Sequence, residues 1–289
     1  MMVYAMACGS GEYIPSAKFQ LETAVTNGKV DKTLFYNIDE MDAEFVEKNK
    51  AILQAGGTRR RMCYLWKPYF IQKALSGIAE GDYLIYMDGG NFYYRNSVWD
   101  TVQFMEKHKL DMAGSRTGEY RERDWTKRDV FVALDLDREP YISQSQCRAG
   151  FLIIKKNQRT EELINEWLAY SQNYNLITDC PNVYGKDNYE GFAEHRHDQS
   201  ILSLLMGRNE IPYVEQFPLP YFVVYHHSLL LSVEEIQKAQ RKRCRDGIWK
   251  SLKKHDFGMI LFIFRNRRKE WLWYQKYRQK KLHRKEWPE

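Results

Sequence analysis

The stretch Gly81-Asp82-Tyr83-Leu84-Ile85-Tyr86-Met87-Asp88-Gly89-Gly90 constrains the fold of this chain most. The run Tyr83 to Met87 is continuously apolar and short, the signature of a strand buried on both faces, most naturally in a parallel sheet covered by helices on each side. In such sheets ligands gather at the carboxyl ends of the strands. This run ends on a carboxylate, Asp88, followed by Gly89 and Gly90, which let the backbone approach a ligand closely. The plainer reading of the same residues is a strand that stops in an ordinary Asp-Gly turn.

Neighbouring segments extend the pattern. Strands are expected at 3–8, 32–38, 110–116 and 149–156, and helices at 16–25, at 42–55 with Phe45, Val46, Ile52 and Leu53 inward, and at 64–78 beyond Pro68. A helix at 160–174 has Thr160 as its expected cap and Leu163, Ile164, Trp167 and Leu168 inward, and a short helix within 194–207 is expected to stop at Gly207. The order of elements predicts an α/β chain: a single Rossmann-like domain with a mixed central sheet and a less regular second half.

Charge is unevenly placed. From Glu234 onward there are 18 Lys or Arg against 7 Asp or Glu, a net of +11, whereas the whole chain carries +6. A boundary is therefore expected near residue 233, dividing a body (1–232) from a basic, mainly helical extension (233–289). Five scattered cysteines with no C-x-x-C pair suit reduced thiols in a cytosolic compartment and argue against a zinc site. The amino terminus lacks the basic region of a signal peptide, and the longest apolar run, 258–264, falls far short of the roughly 20 residues that cross a bilayer.

The succession "YLWKPYFIQKAL", "GDYLIYMDGG", "CRAGFLIIKKN", "EHRHDQSILSLL" and "VVYHHS" resembles the motif order of GT-A-type, nucleotide-sugar-dependent glycosyltransferases, especially bacterial and viral members of polysaccharide or lipopolysaccharide synthesis. The resemblance spans roughly residues 1–230 and rests on the order of the motifs more than on any one of them. It implies a GT-A domain that transfers a sugar from a UDP- or GDP-sugar to a glycan or lipid-linked acceptor. Asp88 matches the first acid of the D-x-D motif, which contacts ribose or metal; Gly90 stands where the second acid is usual, and Gly89 lies between them. Ala149 and Gly150 match the small-residue loop beside the donor sugar, and Lys67 the basic residue that faces the donor. Asp198 in "HDQS" matches the acid that serves as general base in inverting members; by itself it reads equally as a helix cap. His226 or His227 matches the histidine that completes the metal site, which with Asp88 implies Mn or Mg, although the glycine at position 90 weakens that set.

Trp125 in "GEYRERDWTKRDVF" (118–131) is the expected sugar platform, and His197 joins it on the acceptor side. The extension interleaves Lys and Arg with Trp271, Trp273, Tyr274 and Tyr277, a composition suited to an anionic membrane surface, less to nucleic acid, and otherwise to a tail packed on the body. A cytoplasmic protein, peripheral on the cytoplasmic membrane face, is the location this implies. The competing class is a non-catalytic binding protein that uses the basic tail to hold membrane or nucleic acid.

Overall fold

A computed structural model describes residues 1–55, 61–93, 98–217 and 223–225. These residues lie within the first of two compact units of the chain, Met1–His226. The expected boundary near 233, the helical extension 233–289, His226 and His227 fall outside the described residues.

The chain begins with β1 (Val3–Gly9), α1 (Ile14–Thr23) and β2 (Lys32–Asn37), followed by α2 (Ala43–Lys48), α3 (Lys50–Ala55) and α4 (Trp66–Ser76). Next come β3 (Tyr83–Met87), β4 (Asn91–Tyr93), α5 (Val98–His108), β5 (Met112–Arg121), α6 (Glu122–Trp125) and α7 (Arg128–Ala133). The remainder is β6 (Ser145–Lys155), α8 (Gln158–Ser171), α9 (Tyr174–Ile177), α10 (Asp198–Arg208) and β7 (Val223–Tyr225).

The main sheet has the order β2-β1-β3-β6-β5, and β4 pairs with β7 in a separate ribbon. β1 is parallel to β2 and β3, whereas β6 is antiparallel to both β3 and β5, so the expected α/β architecture with a mixed sheet is found. β3 is buried along its whole length, as its unbroken apolar run requires. One sheet face carries Met6, Tyr86 and Leu152 against Phe70 and Ile71 of α4, Trp167 of α8 and Leu204 of α10. The opposite face carries Ala5, Ile85 and Ile153 against Ala17 of α1 and Val102 and Met105 of α5. Because β6 runs against β3, Met87 pairs with Phe151, which brings Gly150 and Ala149, just before it, beside the end of β3.

Local details depart from the sequence reading. The helix over 42–55 is interrupted at Asn49, whose buried side chain donates to the Phe45 carbonyl, and Val46 faces solvent while Ile52 is buried. Asn157, not Thr160, caps α8; Thr160 is the reciprocal partner in the capping box. α10 continues through Gly207 to Arg208. A Cβ at that glycine would fall 2.2 Å from Gln144 Oε1, so the amide end of Gln144 packs into the space it leaves.

Candidate functional site

Asp88 follows the last residue of β3 at the carboxyl ends of the parallel strands, as its sequence position predicted. Its turn is fastened on three sides. The Asp88 amide donates to the Gly150 carbonyl at 3.0 Å, the Asn91 amide donates to the Asp88 carbonyl at 2.9 Å, and the Ser16 hydroxyl donates to the Gly89 carbonyl. Gly89 also lies close under α1, since a Cβ there would stand 3.3 Å from Ala17 Cβ and from the Cys8 carbonyl. Gly150 lies against the Asp88 carboxylate: a Cβ at that position would fall 2.5 Å from Asp88 Oδ2, and the carboxylate would have to move aside.

Tyr86 and Asp88 are two residues apart and share a face of the chain, and the Tyr86 hydroxyl donates to Asp88 Oδ1 at 2.7 Å. α4 covers this face and sends in Lys67, whose ammonium lies 3.3 Å from Asp88 Oδ1 and 3.4 Å from Asp198 Oδ2. The sequence motifs at 67, 88 and 198 thus meet at one point. Exposure orders them: the Asp88 side chain is 49% exposed, that of Lys67 6%, and that of Asp198 2%. Asp198 Oδ2 makes no aligned hydrogen bond, so its link to Lys67 is a charge contact. At that separation the attraction is about 5 kcal/mol for an effective dielectric near 20, enough to offset much of the cost of burying the ammonium. Burial disfavours the charged lysine, but Asp198 and Asp88 outweigh it and raise the Lys67 pKa above its ordinary value. Burial pushes the Asp198 carboxyl up to about 6, against the opposing pull of Lys67.

α10 delivers Asp198 through a strained entry. Asp198 is the first residue of the helix, where a carboxylate suits the helix dipole, so its place is beyond the cap. The cap is His197, with φ 53°, a backbone that costs about 1–3 kcal/mol for a non-glycine residue. Its ring holds that conformation by bonding the Ile177 carbonyl through Nδ1 at 2.8 Å, and the Trp167 indole donates to the Asp198 carbonyl at 2.9 Å. His197, expected on the acceptor side, is therefore turned into the interior, where it is 2% exposed.

A buried polar chain joins this helix to Ala149. The Thr126 hydroxyl and the Gln146 amide donate to Glu122 Oε2, Gln199 donates to Gln146 Oε1 at 2.7 Å, and the Ala149 amide donates to Gln199 Oε1 at 3.3 Å. Burial pushes Glu122 up to about 7. Gln146 and Gln199 were not singled out in the sequence, where two glutamines give no sign that they face each other.

The segment 118–131 has two parts. Tyr120 stacks on Trp125 with ring centroids 4.2 Å apart, and the Arg196 guanidinium lies 4.5 Å from the Trp125 ring, an aromatic and cationic patch that leaves Trp125 half-buried. The Trp125 carbonyl accepts from the Arg196 amide and the Ser200 hydroxyl. The residues that follow form a latch: Lys127 Nζ donates to the carbonyls of Asn175 and Cys180, and Asp129 accepts from the amides of Val183 and Tyr184. This latch fastens the loop that precedes α10. Tyr13, also absent from the sequence reading, is 57% exposed after β1, and its carbonyl would stand 3.1 Å from a Cβ at Gly9.

Among the described residues the donor set is poor for a divalent cation, and His226 and His227, the other expected ligands, lie outside them. Asp88 Oδ1 is engaged by Tyr86 and Lys67, Asp198 faces the same ammonium, and Gly90 offers no side chain. Among the described residues no group of three or more His, Cys, Asp or Glu could hold a metal.

No protein-family model matches this chain, and no curated protein matches it. Among solved structures it is similar to mouse xyloside xylosyltransferase 1, apo form, at 10% identity and a TM-score of 0.41, covering 73% of this chain and 84% of that one. It is similar also to a glycosyltransferase involved in glycosylation of the major capsid of PBCV-1, at 8% identity and a TM-score of 0.35 over 60% and 68% of the two chains. Core-mannan synthase A from Aspergillus fumigatus, in its Mn/GDP form, aligns at 10% identity and 0.39 over 77% and 76%. A putative glucose-1-phosphate thymidylyltransferase from Bacillus anthracis aligns comparably, at 8% identity and 0.36 over 82% and 93%. Glycosyltransferases predominate among these neighbours, but likenesses this loose carry no functional argument, which falls to the residues of the site.

Proposed function

We propose that this protein is a GT-A-type glycosyltransferase that moves a sugar from a nucleotide-diphosphate sugar to an acceptor hydroxyl in glycan synthesis. The observation that carries the reading is the meeting of Asp88, Lys67 and Asp198, with Gly150 in contact, at the carboxyl ends of β1 and β3. Half-exposed Asp88 contacts the donor, and Gly150 and Ala149 keep the space beside it open for the sugar. The acceptor oxygen attacks the anomeric carbon, the bond to the diphosphate breaks, and the leaving group departs with the electron pair. The acceptor proton needs a base. Asp198, pushed up to about 6 by burial, has the proton affinity that suits a base near neutral pH. Direct attack of this kind inverts the anomeric carbon and requires the acceptor hydroxyl to enter beside Lys67. The 2% exposure of Asp198 favours a second reading, in which it only orients Lys67 and the configuration is retained. The Tyr120–Trp125 stack is the proposed platform for the acceptor sugar.

Incubation with a panel of UDP- and GDP-sugars, with and without manganese, should release nucleoside diphosphate from at least one donor, and the NMR spectrum of the product then separates inversion from retention. No turnover, together with no thermal shift by UDP or GDP, would remove the enzyme reading and leave the binding-protein alternative. No helix among the described residues is long and apolar enough to cross a membrane. For residues 233–289 we propose contact with an anionic membrane surface, based on composition. Truncation after residue 232 should abolish sedimentation with anionic liposomes; unchanged sedimentation rules the anchor out.

A further inference from the structure

The surroundings of Lys67 bear on what the site needs in order to bind a diphosphate. Two carboxylates lie within ion-pair distance of one ammonium, at 3.3 and 3.4 Å. The rings of Tyr64, Trp66 and Tyr86 surround the same nitrogen at 5.4, 5.7 and 5.8 Å from their centroids, each offering an electron-rich face to a cation. With its side chain 6% exposed and its stem held in α4, this cation is a fixed part of the interior.

The charge balance follows directly. Two ionised carboxylates alone would present −2, which repels a diphosphate and attracts a divalent ion that can bridge the two. With Lys67 between them the three groups present −1, and one oxygen of each carboxylate, Asp88 Oδ1 and Asp198 Oδ2, already faces an ammonium where a bridging hard cation would sit. Gly90 stands where a second acid would rebuild the metal site, in a turn tied down by the Gly89 carbonyl and the Asn91 amide.

We infer that Lys67 is the site's built-in cation: it offsets one of the two charges of Asp88 and Asp198 and occupies the place where a divalent ion would otherwise bridge carboxylate and diphosphate, so the protein binds its nucleoside diphosphate without a divalent metal. The inference rests on the nucleotide-sugar reading above and goes beyond it. Lys67 here is a positioning and neutralising residue, acting on the ligand through Asp88.

The test uses the whole 289-residue chain and two probes. Calorimetric titration with UDP and GDP, once in EDTA and once in manganese chloride, should give a dissociation constant that agrees within about threefold between the buffers. Manganese alone, followed by the electron paramagnetic resonance of the free ion, should show no uptake by the native protein at micromolar concentrations. Lys67→Met should take up manganese at about pH 8, where the ion can displace the proton that Asp198 otherwise keeps, whereas Lys67→Arg should not. Binding at least tenfold tighter in manganese, or micromolar uptake by the native protein, overturns the inference and leaves the nucleotide-sugar reading standing. If neither nucleotide binds in either buffer, that reading fails and takes the inference with it. Should Lys67→Met not fold, as judged by circular dichroism, the native titrations decide alone.

Discussion

Replacing Lys67 with methionine removes the ammonium while keeping a long apolar stem in α4, and its effect on stability should depend on pH in a way the site dictates. Asp198 is the buried partner, with its carboxyl pushed up to about 6. Without Lys67 the variant escapes an unpaired buried charge by keeping Asp198 protonated. At about pH 8 the native carboxyl is ionised, so holding it neutral costs about 1.4 kcal/mol for each pH unit above 6, or about 3 kcal/mol. At about pH 5 Asp198 is protonated in the native protein too, and this cost disappears. The sign follows from a folded value above the unfolded one: the folded state holds the extra proton, so the variant's stability keeps falling as pH rises beyond 6. Asp88, with its side chain 49% exposed, is resolvated by water and adds little. Urea unfolding followed by circular dichroism at the two pH values should show a loss about 3 kcal/mol larger at the higher one. An equal loss at both would refute the facing of Lys67 and Asp198.

Three further outcomes follow from the same geometry. Gly150→Ala puts a Cβ 2.5 Å from Asp88 Oδ2 and must displace that half-exposed carboxylate, so UDP or GDP affinity should fall about tenfold in calorimetry while the midpoint of thermal unfolding hardly moves. Glu122, pushed up to about 7 by burial, disfavours folding once ionised; Glu122→Gln should gain about 2–3 kcal/mol on the native protein between about pH 5 and pH 8 in urea unfolding, and no gain would refute the buried charge. Asp198→Asn should lose transfer yet keep nucleoside diphosphate binding, and undiminished turnover would rule Asp198 out as base.

Much of this was legible in the sequence where burial is one-dimensional. The strands Val3–Gly9 and Tyr83–Met87 are buried at every residue, and an unbroken apolar run reports that directly. α5 was missed: Val98, Val102 and Met105 recur at helical spacing, but polar residues between them dilute the pattern. Asp88, Lys67 and Asp198 were each found as motifs. That one ammonium lies between two carboxylates 110 residues apart in sequence depends on α4 and α10 covering the same sheet face, which no local signal encodes. The same holds for Lys127 and Asp129, which follow the expected platform Trp125 in sequence and fasten the loop before Asp198. Sequence alone cannot distinguish a buried ion pair from an exposed one.

The central claim is that a nucleoside diphosphate binds at the carboxyl ends of β1 and β3. A crystal structure of the 289-residue chain soaked with UDP or GDP tests it most directly. The account predicts the diphosphate beside Asp88, next to the Gly150 backbone, with Lys67 still between Asp88 and Asp198. A nucleotide bound elsewhere on the body, or none at saturating concentration, would contradict it.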